Sequence, residues 1–110
     1  MLDWLLGKRS GDGMHASTLP AKLAEAAPPQ VLDVREPSEW AAGHIPGARH
    51  VPLGQLPERW RELPTDRPLA VICRSGARSA RAVAFLRDQG LAAHNVEGGM
   101  LAWPGPVAHD

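Results

Sequence analysis

The sequence predicts an α/β fold with a mostly parallel sheet. Short apolar runs alternate with Ala- and Leu-rich segments that favour helices, and proline or glycine separates most of these segments. Strands that alternate with helices in this way are typical of parallel sheets. In such sheets ligands bind beyond the carboxyl ends of the strands. The residues that follow each strand are therefore the first candidates for a functional site.

Composition and charge narrow the possible classes of protein. The 110 residues fit a single domain, and at 44% hydrophobic they can build a core. The 12 basic and 12 acidic side chains cancel, so the net charge gives no indication of a nucleic-acid or membrane partner. One cysteine cannot form an internal disulfide, and no apolar run approaches the ~20 residues of a membrane-spanning helix. A cytoplasmic location is expected.

The chain is predicted to have three parts. These are an apolar segment with a flexible linker at residues 1–14, a domain at residues 15–103 and a short tail at residues 104–110. Residues 1–6 are too short for a signal-peptide core, and Asp3 stands where a basic flank is expected. We expect this segment to dock on its own domain rather than on an outside partner. Three glycines mark residues 7–13 as the linker, and Pro-Gly-Pro at 104–106 is expected to free the tail.

The first elements of the domain follow from caps and prolines. A helix is expected from Thr18, as its N-cap, to about Ala27, where two prolines stop it. Residues 30–35 are an apolar run that ends in charged residues, which predicts a buried strand. A short helix then opens at Pro37, with Ser38 or an adjacent residue as its cap.

The later elements continue the alternation of strand and helix. Turn residues are dense at 43–48, and proline or glycine closes most of the helices that follow. The predicted elements are a strand near 49–51, a helix over about 56–63, a strand at 69–72, a helix to about Gln89, a strand at 92–96 and a short helix through Trp103.

The single cysteine lies where a strand gives way to a helix. Cys73 ends the apolar run at 69–72, and Gly76 follows in a short loop. Loop amides and the positive end of a helix stabilise a thiolate, which is the nucleophilic form of cysteine. Lowering the pKa by roughly two units from its usual ~8.5 makes the thiolate the major form at neutral pH. The sequence therefore predicts a cysteine nucleophile whose sulfur is exposed at the mouth of a ring of N–H groups.

Charged residues cluster near this loop. Three arginines crowd around the cysteine and would attract a small anion: Arg74, Arg78 and Arg81. Asp33 and Arg35 end the strand at 30–35, so they could share one crevice with the cysteine loop. We expect both to brace the strand end, and the spacing of Arg35 and Glu39 suits an ion pair.

Four stretches of the sequence resemble the rhodanese family. Residues 73–78, Cys-Arg-Ser-Gly-Ala-Arg, are similar to its six-residue active-site loop. The other three matches occur in the family's order and spacing: LDVREP at 32–37 with Glu39 and Trp40, GHIPGA at 43–48, and EGGMLAW at 97–103. The resemblance implies a single-domain, rhodanese-like fold with a central sheet of about five strands and helices on both faces.

The resemblance also implies a sulfur-transfer reaction. Cys73 would attack the outer sulfur of thiosulfate and expel sulfite to leave a persulfide; another persulfide donor is the alternative source of the sulfur. Cyanide, a cellular thiol or a thioredoxin-like protein would then remove that sulfur. The amides of residues 74–78, which include Ser75, Gly76 and Ala77, would cradle the persulfide. Arg74 and Arg78 would bind the anionic substrate, with Arg78 the more important, and no metal or organic cofactor is implied.

Other interpretations of these residues remain. A lone cysteine can be a small buried core residue, and a rhodanese-like module can bind a partner without catalysis. Cysteine-dependent phosphatases and arsenate reductases place five residues between cysteine and arginine, whereas four separate Cys73 from Arg78. A metal site is not expected, because the histidines lack ligand spacing. They are His15, His44, His50, His94 and His109.

Overall fold

The computed structural model describes residues 13–110 and contains a central parallel sheet. Within these residues five strands pair in the order β1-β5-β4-β2-β3, and every pairing is parallel. This architecture confirms the predicted fold class. The strands are β1 (Met14–His15), β2 (Gln30–Asp33), β3 (Arg49–His50), β4 (Leu69–Ile72) and β5 (Ala93–Glu97).

Helices connect the strands and cover both faces of the sheet. The α-helices are α1 (Leu19–Leu23), α2 (Pro37–Ala41), α3 (Leu56–Arg59) and α4 (Ala77–Asp88). Short 3-10 helices occur at Ala16–Thr18, Leu53–Gln55, Trp60–Glu62 and Gly99–Ala102. No helix in this described part of the chain has the length and apolar character needed to cross a bilayer.

Two hydrophobic cores lie on opposite faces of the sheet. Successive side chains of a strand point to opposite faces, so Val71 and Ile72 of β4 enter different cores. One core packs Leu32 and Val71 against Leu86 of α4. The other core includes Ile72 and the residues that precede and begin α1. Because both faces are covered, β4 is an uninterrupted apolar run rather than an alternating one.

The amino-terminal edge of the sheet differs from the prediction. Residues 1–12, with the expected docked helix and most of the linker, lie outside the described residues. Met14, assigned to the linker segment, instead begins β1 and lies opposite Val96 of β5. The two residues of β1 are too few for a strand pattern to be visible in the sequence. The His15 side chain accepts a hydrogen bond from the Ser17 amide and caps the turn that follows.

The caps of α1 and α2 also differ from the prediction. Thr18 has helical backbone angles, so its hydroxyl donates back to the His15 carbonyl at 2.8 Å and does not cap α1. The helix ends at Leu23, earlier than expected. For α2 the N-cap is Glu36, whose amide donates to the Glu39 carboxylate at 2.9 Å. Ser38 therefore lies inside α2, because Pro37 occupies the first helical turn.

The predicted free tail folds back on the domain. The His44 amide donates to the Ala108 carbonyl at 3.0 Å, and the Ala108 amide donates to the His44 carbonyl at 2.7 Å. The His44 ring is buried, stacks on Trp40 and lies 2.8 Å from an Asp110 carboxylate oxygen. The expectation of a free tail was wrong, since proline and glycine mark a turn here and not a departure from the domain.

Candidate active site

The cysteine loop lies at the carboxyl end of the central strand. Cys73 follows β4 directly, and α4 begins at Ala77, only four residues later. Gly76 precedes α4 with φ of 114°, a conformation that residues with a Cβ rarely adopt. This turn aims several amides inward. The loop after β5 supports it from behind, because the Met100 amide donates to the Cys73 carbonyl at 2.9 Å and the Leu101 amide donates to the Arg74 carbonyl at 3.1 Å.

Polar donors surround the sulfur of Cys73. The Gly76 amide donates to Sγ at 3.1 Å and the Ser79 amide at 3.3 Å. The Ser79 hydroxyl oxygen is also 3.3 Å from Sγ. Only 1% of the Cys73 surface is exposed, however, and its carbon atoms join the core that contains Leu86. The predicted exposed sulfur is therefore wrong, because loop backbone and α4 cover the thiol while still lining it with donors.

These donors decide the ionisation of Cys73. Burial is the largest single influence and raises the pKa of the thiol. Hydrogen bonds from the amides of Ser79, Gly76 and Ser75 lower that pKa, and the Ser79 hydroxyl lowers it when its hydrogen is turned towards the sulfur. Their sum outweighs burial, so the pKa of Cys73 lies below its ordinary value. The loop therefore favours the nucleophilic form of the cysteine.

Arg78 has a partner that the sequence did not reveal. Its guanidinium donates to both carboxylate oxygens of Glu39, at 2.7 and 2.9 Å. This pairing lowers the pKa of Glu39 to about 2. Arg78 thus interacts with Glu39 of α2 as well as with the cysteine loop. Arg74 and Ser75 are exposed at the rim.

Asp33 and Arg35 form a buried pair at the end of the neighbouring strand. The Arg35 guanidinium reaches both Asp33 carboxylate oxygens at 2.8–3.0 Å and also donates to the Gly43 carbonyl at 2.8 Å. The expected ion pair between Arg35 and Glu39 was wrong, because Arg35 is occupied by Asp33. Val34 lies between Asp33 and Arg35 in the sequence, and its amide donates to the Ile72 carbonyl at 3.0 Å. This hydrogen bond joins the buried pair to the residue before Cys73.

Ser79 and Asn95 belong to the site but were missed. The Ser79 hydroxyl donates to the Asn95 side-chain oxygen at 2.5 Å, and the Asn95 amide group donates to the Gly76 carbonyl at 3.2 Å. Asn95 lies on β5, 16 positions after Ser79. The one feature of the sequence that could have indicated Asn95 is that its polar amide stands in a strand whose other residues are largely buried.

Other cavities lie away from the sulfur. A pocket of about 480 Å³ near Leu69 sits at the opposite end of β4, so it is not the candidate site. A groove of about 440 Å³ lies beside the loop, between Arg78, Arg81 and Phe85 on one side and Leu53 on the other. Among the described residues no group of three His, Cys, Asp or Glu side chains could hold a metal ion.

A family model for the rhodanese-like domain matches residues 16–105, a span that contains the whole cysteine loop and all of its supports. The chain belongs to the rhodanese family. A sulfurtransferase of Allochromatium vinosum is 40% identical over 91 residues, which cover 82% of this chain and 85% of that protein. The thiosulfate sulfurtransferase GlpE of Stutzerimonas stutzeri is 36% identical over 85 residues, which cover 73% and 78%.

Solved structures support the same assignment. The crystal structure of a rhodanese-like domain protein from Staphylococcus aureus superposes with a TM-score of 0.83 at 35% identity and covers 89% of this chain and 97% of its own. The matched part of this rhodanese-like chain spans 63% to 85% of the length of the first three curated relatives. Within the rhodanese-like loop, Cys73 and the residues up to Ser79 come together, whereas Arg81 lies along the exposed side of α4.

Proposed function

We propose that this rhodanese-like protein is a sulfurtransferase that carries a sulfane sulfur on Cys73. The proposal depends on one observation: Sγ of Cys73 accepts hydrogen bonds from the Gly76 and Ser79 amides at the start of α4. Such donors stabilise negative charge on sulfur before and after it has accepted a second sulfur atom. The names of the curated relatives support transfer in general, and one of them supports thiosulfate as the donor.

The reaction has two balanced half-steps. The Cys73 thiolate attacks the outer sulfur of thiosulfate, a new S–S bond forms, and the original S–S bond breaks with its electron pair leaving on sulfite. A thiolate or cyanide acceptor then attacks the outer sulfur of the persulfide, and the electron pair of that bond returns to Cys73. Because one product leaves before the acceptor reacts, ping-pong kinetics follow.

The roles of the surrounding residues follow from their positions. Arg74 and Ser75 are exposed at the rim, where they contact an approaching anionic donor first. Arg78 contributes charge while it remains tied to Glu39. Since Cys73 is only 1% exposed, the donor reaches Sγ after the loop itself moves aside. A persulfide of small size, or a thioredoxin-like protein that opens the loop, fits the same route.

Intact mass spectrometry tests the proposal. After incubation with thiosulfate and removal of excess donor, the protein is expected to gain the mass of one sulfur atom, and addition of cyanide is expected to remove it. Cys73→Ser should show no gain, since a hydroxyl of similar shape cannot form a persulfide. A Cys73→Ser variant that folds normally and still acquires sulfur would contradict the assignment of Cys73.

The burial of Cys73 favours one competing function, a rhodanese-like module that binds a partner without catalysis. The same measurement separates the two functions. A non-catalytic module stays at its original mass with thiosulfate and with a small organic persulfide. Gain of sulfur from either donor excludes that alternative.

A further inference from the structure

Asn95 is placed to control where a single proton lies. Its side-chain oxygen is 2.5 Å from the Ser79 hydroxyl oxygen, and that hydroxyl oxygen is 3.3 Å from Sγ of Cys73. The three groups form a line from β5 through α4 to the end of β4. Asn95 does not touch the sulfur itself, so any influence on Cys73 passes through Ser79.

The orientation of the Asn95 amide is fixed by its second contact. Its NH2 group donates to the Gly76 carbonyl at 3.2 Å, and a carbonyl oxygen can only accept. The Asn95 oxygen must therefore face Ser79. Because an amide oxygen has no hydrogen, the Ser79 hydroxyl must be the donor in that short contact.

A serine hydroxyl has one hydrogen and cannot donate it twice. While the Ser79 hydrogen points to Asn95, the Ser79 oxygen presents lone pairs to the sulfur. A thiol satisfies this arrangement, because its S–H donates to the Ser79 oxygen. A thiolate does not, because two lone pairs then face each other. Full stabilisation of the thiolate requires the hydroxyl to rotate away from Asn95 and towards Sγ.

We propose that Asn95 is a positioning residue that holds the Ser79 hydrogen away from the sulfur and so keeps the proton on Cys73 until the hydroxyl rotates. The consequence of this proposal for sulfur transfer rests on the proposed function, whereas the effect of Asn95 on the proton of Cys73 does not. Asn95 lines a small cleft of about 160 Å³ beside α4. A ligand or partner in that cleft would contact Asn95, and so affect its hydrogen bond with Ser79, without entering the cysteine loop.

Other charged groups near the sulfur stay unchanged in the test. Arg78 of α4 interacts electrostatically with Cys73 and is paired with Glu39 of α2. The neighbouring strand ends in the closed Asp33–Arg35 pair. The remaining ionisable groups on the adjoining segments are Arg74 in the loop, Arg81, Arg87 and Asp88 on α4, His94 and Glu97 on β5, and His15 on β1.

The test is a measurement of the thiol pKa from the ultraviolet absorbance of the thiolate as pH is varied. The signal is unusually clean, because the chain has one cysteine and no tyrosine. Asn95→Leu keeps the branching of the side chain at Cγ, with a somewhat larger volume, and removes the acceptor. Freed to donate to sulfur, the Ser79 hydroxyl is expected to lower the pKa of Cys73 by roughly one unit, or about tenfold more thiolate at a pH below that pKa.

A double-mutant cycle with Ser79→Ala makes the inference specific. In the natural background Ser79 does not donate to sulfur, so Ser79→Ala is expected to leave the thiol pKa unchanged or lower it. In the Asn95→Leu background the same substitution should raise the pKa by about the amount that Asn95→Leu lowered it. An equal increase in both backgrounds would mean that Ser79 already donates to sulfur, and this would overturn the proposal.

Asn95→Asp provides the matched control. It keeps an acceptor facing Ser79 and adds negative charge, so the thiol pKa should rise, opposite to Asn95→Leu. A fall of the pKa in Asn95→Asp would contradict the proposal. Circular dichroism checks the fold, and Asn95→Ala replaces Asn95→Leu if the larger variant unfolds. Because no sulfur donor is used, failure of the cycle and failure of thiosulfate to modify Cys73 are separate results.

Discussion

At Gly76 the backbone takes a φ of 114°, which places its amide 3.1 Å from the sulfur of Cys73. A Cβ at this position would strain the backbone however much space surrounds it. The strain and the loss of the amide contact have different consequences. Strain lowers the stability of the fold, whereas a displaced amide changes the ionisation of the thiol.

Gly76→Ala tests this distinction at the scale of one residue. We expect a loss of about 1–2 kcal/mol in the free energy of unfolding, typical of a left-handed residue with a Cβ. The pKa of Cys73 should rise, because one donor moves away from Sγ. Urea denaturation and thiolate absorbance measure the two effects.

Gly47→Ala is the matched control for that substitution. Gly47 also has a positive φ, 81°, and nothing lies within 4 Å of an added Cβ. It should lose similar stability and leave the thiol pKa unchanged. An unchanged thiol pKa in Gly76→Ala would show that the Gly76 amide does not control the ionisation of Cys73.

At the scale of the elements, an ion pair joins α2 to α4 beside the cysteine loop. Glu39 and Arg78 have side chains that are 27% and 31% exposed, and two parallel hydrogen bonds connect them. The bidentate geometry restrains the first turn of α4, which also carries the Ser79 donors. The depressed pKa of Glu39 makes this restraint dependent on pH.

Glu39→Gln is expected to remove that dependence. A carboxylate whose folded pKa lies below its unfolded value stabilises the fold fully above the unfolded value and loses the contribution as pH falls through the folded value. The difference in unfolding free energy between natural protein and Glu39→Gln should therefore be constant above pH 4.5 and shrink as pH falls to about 2. Denaturation at several pH values measures it.

An exposed carboxylate on α3 provides the comparison. Glu58→Gln should show no such dependence, because Glu58 is exposed and Arg78 pairs with Glu39 instead. If Glu39→Gln and Glu58→Gln follow the same curve, the pair between α2 and α4 does not contribute to stability.

At the scale of the whole molecule, the tail completes the domain. The Ala108 backbone forms two hydrogen bonds with His44, whose ring stacks on Trp40 of α2. Removal of residues 108–110 is expected to cost these two bonds, each about 0.5–1.5 kcal/mol net. Each kcal/mol lost lowers the Tm of a domain of this size by roughly 4–8 °C, so a fall of at least about 4 °C is expected.

The cysteine loop should not respond to this truncation, because the hydrogen bonds of Ala108 and Asp110 go to His44 and not to the loop. Asp110→Asn keeps the backbone bonds and should change Tm less than the deletion does. A truncated protein with an unaltered Tm would show that the tail is only lightly held.

The sequence predicted those features that depend on neighbouring residues. The apolar run at 69–72, the cysteine after it and the glycine at 76 are local, and the structure places them as a strand, a loop and a helix start. Contacts between distant residues were not predicted. Nothing near Arg78 in the sequence indicated Glu39 as its partner, and nothing near Ser79 indicated Asn95.

The burial of the sulfur escaped prediction for a related reason. Exposure of Cys73 depends on how the loop backbone and α4 close over it, which is decided by packing between elements. The two-residue strand β1 is likewise too short for an alternating pattern, whereas β3 lies within the strand predicted near residues 49–51. In the first case only the neighbouring strand β5 reveals the pairing.

The loop after β5 is part of a fixed framework around Cys73, whereas the outer side of the cysteine loop is a surface whose side chains can change. At Gly99 an added Cβ would lie 2.6 Å from the Cys73 carbonyl oxygen, so this position cannot change without moving the framework. Arg74, Ser75 and Ala77, by contrast, face solvent. Evolution or design can therefore exchange those three side chains and recruit new reaction partners, while the machinery that activates the sulfur is inherited unaltered.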